Sequence, residues 1–280
     1  MTDHYAVIGN PIGHSKSPQI HAMFAQQTGQ DIVYGAVLAP LDGFAATIGW
    51  LRKEGYKGCN VTVPFKLEAW RLAASTSRAL DAEAVNTFAF KNGEIFGDNT
   101  DGVGLVRDIE QNLGIALKDK RILLIGAGGA AQGVLHPLLE VSQKPLVFKP
   151  LVISNRSPEK AVRLKKTIEQ HDRFSLFSVK AVEFGDLNDE QFDLVINATS
   201  AGLKDEMPDI PKTIFAPGAL AYDMMYGKET PFMKFAREQG AAIVADGLGM
   251  LVEQAAESFF IWRGVRPETT PVIAALRSQQ

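Results

Sequence analysis

Apolar residues run Ile122-Leu123-Leu124-Ile125 without a polar break and pass straight into Gly126-Ala127-Gly128-Gly129-Ala130-Ala131. A short, unbroken apolar run bounded by turn residues predicts a strand covered on both faces, as in a parallel sheet beneath helices. Beyond the glycines, Val134, Leu135, Leu138, Leu139 and Val141 return at helical spacing. Strand, glycine turn and helix follow in the order of a dinucleotide-binding unit, with Gly126, Gly128 and Ala131 in the G-x-G-x-x-A places. The first glycine permits a tight turn, the second lets backbone approach a pyrophosphate, and the small third residue lets the helix pack on the strand. The helix start offers free N–H groups and a positive dipole end to a phosphate. Taken alone, the pattern equally fits a glycine-rich turn with no ligand.

The same patterning predicts alternating strands and helices throughout. Strands are expected at 5–9, 32–38, around 61–63, at 84–90, 94–97, 151–154, 193–197, 219–225 and 242–245. Helices are expected from Ser17 to a stop at Gly29, then over 44–51, 66–72 and 103–113, through 134–141, and over 231–239, 251–262 and 267–277. Ser17 before Pro18 suits an N-cap followed by a first-turn proline. Asn92-Gly93 is a hairpin turn signal. Val61 and Val63 alternate with Asn60 and Thr62, which predicts one apolar and one polar face up to Pro64. Pro137 should bend its helix or remove one hydrogen bond. Residues 143–150 are expected to form a surface loop, and the apolar 251–262 helix, carrying Gln254, to be deeply buried.

Three polar clusters, at 15–17, 60–66 and 98–101, fall at strand ends, where open α/β sheets bind ligands. Ser15, Lys16 and Ser17 beside a helix start suit a small carboxylate, although helix capping alone accounts for Ser17. Lys66 in a first helical turn works against the dipole, a mild sign of function in a residue type that is usually just solvated. Asp98, Asn99, Thr100 and Asp101 also suit turn chemistry, with Asp101 as an N-cap. After the 151–154 strand, Asn155-Arg156 stands where an NAD-selective unit carries Asp or Glu, which suits a 2′-phosphate and hence NADP. A solvated arginine before the Ser157-Pro158 helix start is the plainer explanation.

Composition narrows the class. A chain of 280 residues suits two domains, and 46% hydrophobic with 22% charged residues describes an ordinary globular protein. The net charge of −3, without a basic block, argues against a nucleic-acid surface. One cysteine, Cys59, excludes an internal disulfide and fits a reducing compartment. Neither a signal peptide nor a membrane-length apolar run is evident, and five scattered histidines give no metal-ligand spacing. A cytoplasmic, metal-free protein with no membrane or nucleic-acid partner is expected, as a monomer or homodimer.

The motifs Asn10-Pro11-Ile12, Ser15-Lys16-Ser17-Pro18, Asn60-Val-Thr62-Val-Pro64-Phe65-Lys66, Ala84-Val-Asn86-Thr87, Gly97-Asp98-Asn99-Thr100-Asp101-Gly102, Gly126-Ala-Gly128-Gly129-Ala130, Asn155-Arg156, Asn197-Ala-Thr199-Ser200 and Asp246-Gly247-Leu248-Gly249-Met250 occur in order. From end to end the chain closely resembles the shikimate dehydrogenase family. The resemblance implies an α/β chain of two domains. An open α/β substrate domain (1–101 and 247–280) would be interrupted by an inserted Rossmann-type NADP domain (102–246). It implies NADPH-dependent reduction of 3-dehydroshikimate to shikimate, in chorismate and aromatic amino acid biosynthesis.

Residue by residue, it implies that Lys66 and Asp101 are the catalytic pair and that Ser15 and Ser17 bind the substrate carboxylate. Thr62, Asn86, Asp101, Tyr226 and Gln254 would contact the ring, with Asn60 close by. Gly126, Ala127, Gly128, Gly129 and Ala130 match the pyrophosphate loop, and Asn155, Arg156, Ser157 and Lys160 the adenosine phosphate contacts. Thr199, Met224, Gly247 and Met250 fall on the cofactor side. The chemistry agrees, because hydride reduction of a ketone builds charge on oxygen that a positioned lysine can neutralise and protonate. The rivals are a quinate/shikimate dehydrogenase using NAD as well as NADP, and a silent regulatory module, which would be expected to have lost Lys66 or Asp101. A folate-linked dehydrogenase would not need the paired serines.

Overall fold

The computed structural model describes residues 2–143, 149–170 and 177–279. It divides into two compact units, Met1–Gly104 with Leu251–Gln279, and Leu105–Met250.

The first unit opens with β1 (Asp3–Gly9), α1 (Ser17–Thr28), β2 (Ile32–Leu38), α2 (Phe44–Lys53), β3 (Gly58–Val61) and α3 (Lys66–Leu72). Two short elements absent from the sequence reading follow, β4 (Ala74–Ser75) and α4 (Ser77–Ala82), and then the hairpin of β5 (Thr87–Lys91) and β6 (Glu94–Asp98). Asn92 and Gly93 both have positive φ (53° and 78°), the backbone a two-residue hairpin turn requires. The sheet is mixed, in the order β2-β1-β3-β5-β6-β4, with β1 parallel to β2 and β3, and with β5 antiparallel to β3 and β6. Ile8, Phe44, Ile48, Leu51, Val61, Phe65 and Phe88 form its core on one face, where Phe44 and Phe65 stack 4.9 Å apart.

Helix α5 (Asp101–Arg107) runs on into a single π-helical turn, Asp108–Asn112. The second unit then alternates β7 (Ile122–Ile125), α6 (Gly129–Ser142), β8 (Leu151–Ser154), α7 (Pro158–Glu169), β9 (Val179–Val182), β10 (Phe192–Asn197), β11 (Phe215–Asp223), α8 (Pro231–Glu238) and β12 (Ile243–Ala245). All six strands are parallel, in the order β12-β11-β10-β7-β8-β9. Counted within the unit this is the doubly wound 3-2-1-4-5-6 order, whose direction reverses between β7 and β10. The apolar run of β7 behaves as expected of a doubly covered strand. Ile122 and Leu124 enter one core cluster, while Leu123 and Ile125 enter the other. Pro137 sits inside α6. Helix α9 (Leu248–Arg263) leads back to the first unit, and α10 (Thr270–Arg277) completes it.

Several boundaries differ from expectation. Ser17 is not the cap of α1 but its first residue, with Lys16 in the cap position and no side-chain cap bond. The Ser15 Oγ instead accepts the Ser17 N–H at 3.3 Å, which leaves the Ser17 hydroxyl out of capping. Strand β3 ends at Val61, because the Thr62 carbonyl turns to accept the Phe65 N–H, and Val63 is 63% exposed rather than on an apolar face. Strand β11 stops at Asp223, whose carboxylate accepts the Met225 N–H at 3.0 Å in a side-chain turn. Helix α9 starts three residues early, and α10 starts at Thr270 rather than Pro267. Most of the loop expected over 143–150 lies outside the described residues.

Candidate active site

In the first unit, the strand ends bring together residues far apart in sequence. Lys66 opens α3 directly after the β3 turn, and Asp101 opens α5 directly after β6. Their side chains meet, Lys66 Nζ donating to Asp101 Oδ2 at 2.5 Å, with side-chain exposures of 29% and 13%. The helix dipole opposes a cation at the start of α3 and favours an anion at the start of α5, so the pair offsets the poor placement of the lysine. The other Asp101 oxygen accepts from Asn86 Nδ2 at 2.8 Å, and the Asp101 N–H donates to Asn99 Oδ1 at 3.1 Å. Asn86 cannot turn over, because its Oδ1 accepts from the Thr100 N–H (2.9 Å) and the Thr87 hydroxyl (2.8 Å). Its N–H₂ must therefore face the carboxylate.

Behind Asp101, the β6 end is held by charge. Asp98 accepts Nε and Nη2 of Arg78 (3.1 and 2.6 Å) and the Thr76 hydroxyl (2.7 Å), while Arg78 Nη1 donates to Glu257 at 2.9 Å. Burial opposes the Glu257 charge, yet its hydrogen bonds to Arg266 and Arg78 hold its carboxyl below the usual carboxylate range. One turn earlier on α9, Gln254 donates to the Leu251 carbonyl at 2.8 Å and turns its Oε1 toward Asn86 and Thr100, 3.5 and 3.4 Å away. Asn60 differs from expectation. It is buried, and its amide nitrogen lies 3.0–3.1 Å from Asn86 O, Thr87 Oγ1 and Ser258 Oγ, while Tyr34 donates to its Oδ1 at 2.7 Å. Its polar atoms serve the protein. Ser15 and Thr62 are half-buried and Ser17 is buried.

In the second unit, the glycine turn joins β7 to α6 at the point where the strand order reverses. Gly126 has φ 114°, and a Cβ there would lie 3.1 Å from the Ala198 carbonyl group, so only glycine fits. Gly128, Gly129 and Ala130 are exposed, no side chain caps the first turn of α6, and a Cβ on Gly128 or Gly129 would meet nothing within 4 Å. This backbone suits a pyrophosphate. Gly247 is close-packed, since a Cβ would meet the Met224 carbonyl oxygen at 2.3 Å.

After β8, Asn155 is half-buried and donates to the Ser157 carbonyl at 3.0 Å, while Lys160 is exposed. Arg156 is 88% exposed at its side chain and faces Glu206 at 3.7 Å. The donors present fit a dinucleotide with a 2′-phosphate. The Thr199 hydroxyl donates to Asn197 Oδ1 at 2.7 Å. Asp223 accepts from Asn197 (3.2 Å) and Thr230 (2.5 Å); burial raises its carboxyl above the usual range, and these bonds partly offset the effect. Met224 and Tyr226 follow directly on the loop that Asp223 fixes. Met250 is buried.

The sequence reading missed Tyr34, Arg78, Ser258, Glu257, Asp223 and Glu206. Five of them lie inside helices or strands, where periodicity assigns a residue to a face without naming its partner, and Glu206 lies in a loop. Among the described residues no cluster of His, Cys, Asp or Glu could hold a metal ion, and no helix is long and apolar enough to cross a membrane.

Three family profiles match the chain. They are the shikimate dehydrogenase substrate binding domain over residues 7–88, shikimate / quinate 5-dehydrogenase over 108–204, and the shikimate 5′-dehydrogenase C-terminal domain over 247–277. A shikimate dehydrogenase (NADP(+)) of Methylobacillus flagellatus is 61% identical over 277 residues, covering 99% of each chain. Among solved structures, an Ael1 enzyme from Pseudomonas putida is 48% identical, with a TM-score of 0.90 over 98% of each chain. Shikimate 5-dehydrogenase from Thermus thermophilus, in complex with NADP(H) and shikimate, is 30% identical, with a TM-score of 0.85 over 100% of each chain.

Proposed function

Since the chain belongs to the shikimate dehydrogenase family, we propose that it reduces 3-dehydroshikimate to shikimate with NADPH, using Lys66 and Asp101 as its acid–base pair. The observation that carries this reading is the 2.5 Å contact of Lys66 with Asp101, oriented from behind by Asn86. The first unit is the substrate domain and the second the NADP-binding domain.

NADPH, when bound, supplies the hydride. Lys66 then has two tasks, to face the ketone oxygen as negative charge develops and to deliver a proton to it. Its partial exposure lets it regain that proton from solvent. Asp101 aims the ammonium and accepts a ring hydroxyl. Ser15 and Ser17 take the carboxylate, and Thr62, Asn86, Gln254 and Tyr226 take the ring and its hydroxyls. Asn60 acts one step behind, by orienting Asn86 and Thr87. The backbone from Gly126 to Ala130 holds the pyrophosphate. Asn155, Arg156, Ser157 and Lys160 hold the 2′-phosphate end, and Thr199, Met224, Gly247 and Met250 line the nicotinamide side.

The test is nicotinamide absorbance with shikimate or quinate crossed against NADP or NAD. Turnover concentrated in the shikimate–NADP pair is expected. No turnover in any pair sinks the reading, and similar efficiency with quinate and NAD replaces it with a broader quinate/shikimate dehydrogenase.

A further inference from the structure

We propose that Tyr34 is a positioning residue for the substrate, its one hydroxyl joining the carboxylate-binding Ser17 to the hydrogen-bond chain that orients Asp101. The proposal rests on the reading of Ser17 and Asp101 given above and adds to it a residue that touches neither ligand.

Tyr34 lies on β2, the edge strand, with its ring turned onto α1. His21 stacks on that ring at 4.1 Å, the two planes only 8° apart. Ser17 and His21 are four residues apart on α1, so they share a face, and the face that carries the serine is the one seated on the phenol. Trp262 of α9 tilts against the same ring at 6.2 Å. The ring is therefore clamped, and the direction of its O–H is set. Burial raises the phenol far above its ordinary range, and the Ser17 hydroxyl is among the groups that partly counter this. Tyr34 is accordingly a fixed neutral donor.

From that donor a chain of buried hydrogen bonds leads to Asp101. Tyr34 donates to Asn60 Oδ1 at 2.7 Å, so the Asn60 N–H₂ must point the other way, to Thr87 Oγ1 (3.1 Å) and Ser258 Oγ (3.0 Å). Thr87, accepting there, donates to Asn86 Oδ1 at 2.8 Å, and Asn86 in turn donates to Asp101 Oδ1 at 2.8 Å. Ser258 is anchored by donation to the Gln254 carbonyl at 3.0 Å. Asn60, Asn86, Thr87 and Ser258 are all buried, so water cannot replace a lost member. Removing the phenol proton strips Asn60 Oδ1 of this donor, while the Asn86 carbonyl, accepting from Asn60 Nδ2 at 3.1 Å, keeps the amide the same way round. A buried acceptor is left short of a donor, and the positional hold of Asn60 on Thr87, Ser258 and the Asn86 backbone loosens. The same deletion removes the ring oxygen beside Ser17.

Tyr34→Phe keeps the ring and deletes one oxygen. The expected result is a shikimate KM about tenfold higher and a lower kcat, the size of one buried hydrogen bond, with the NADP KM unchanged and the melting temperature lowered by about a few degrees because Asn60 Oδ1 loses a donor. A merely structural role would lower the melting temperature without moving the shikimate KM. Ser17→Ala tests the underlying reading separately: if it leaves the shikimate KM unchanged, Ser17 is not the anchor, whatever Tyr34 does. If Ser17→Ala raises the KM while Tyr34→Phe stays within about twofold of the parent, Tyr34 is no positioning residue. In the double variant the two effects should combine to less than their product, because the residues share an interaction; full multiplication overturns the proposal. Should Tyr34→Phe fail to fold, Ser258→Ala breaks the same chain from α9 and should lower kcat several-fold. Unchanged kcat in that variant overturns the proposal.

Discussion

At Asp101 both carboxylate oxygens are engaged, one by Lys66 and one by Asn86, and the groups behind them are themselves fixed by buried partners. At Arg156 the side chain is 88% exposed, and its guanidinium faces a single carboxylate at 3.7 Å. The two regions belong to different units and rest on different physics. In the proposed acid–base corner, orientation is set before a substrate arrives, which would leave little reorganisation for the reaction. At the proposed dinucleotide edge, recognition would rely on charge in open water, where it is screened by salt and weakly directional. Damage to the corner should therefore appear in kcat and in pH behaviour, and damage to the edge in cofactor KM and salt dependence.

The largest effect expected is for Lys66→Ala, a fall in kcat of about a hundred- to ten-thousand-fold with the shikimate KM and melting temperature nearly held. Full turnover in that variant would remove Lys66 from the mechanism. A second experiment tests how closed the corner is. Burial pushes the pKa of His21 down to about 3, so the unfolded chain takes up a proton near pH 6.5 that the folded protein refuses. Stability is thus intact above about pH 6.5 and lost as pH falls toward about 3, at up to about 1.4 kcal/mol per pH unit. Denaturant unfolding across that range should show His21→Phe with the shallower slope, and parallel slopes would mean that His21 is not the acid-sensitive group.

At the edge, Arg156→Ala should raise the NADPH KM about ten- to a hundredfold, the loss of charge-assisted hydrogen bonds, and leave NADH nearly unchanged. An equal loss for both coenzymes would show that Arg156 does not read the 2′-phosphate. Smallest of all, Glu206→Gln should lower the NADPH KM by less than about fivefold at low salt, with the gain gone at high ionic strength. A gain that persists in high salt would mean that Glu206 acts by shape rather than by charge.

The difference between the regions also explains what was legible in the sequence. The β7–α6 turn was legible because its requirement is local: an apolar run, then residues without side chains where backbone must be bare. Lys66 and Asp101 stood out because a lysine opening a helix and an acidic cluster after a strand are locally odd. That they touch follows from the family resemblance and not from the local pattern, since the contact depends on how β3, β5 and β6 pair. Asn60 was placed beside the ring by its motif, whereas its actual neighbours Tyr34, Thr87 and Ser258 come from three other elements. Ser17 looked like a cap because Ser-Pro so often is one, and Ser15, two residues upstream, supplies the local contact instead. Arg78, Glu257 and Arg266 carry no local signal, and only packing brings them together.

One consequence lies in the order in which the chain is made. Leu105–Met250 is contiguous, so every partner in its parallel sheet has been synthesised once β12 is complete. The first unit is assembled from both ends of the polypeptide. Asn60 and Thr87 meet Ser258, and Arg78 meets Glu257, only after α9 has been synthesised. During translation the half made first is thus the half finished last, and its buried amides and hydroxyls stay solvated until the final helices return to cover them.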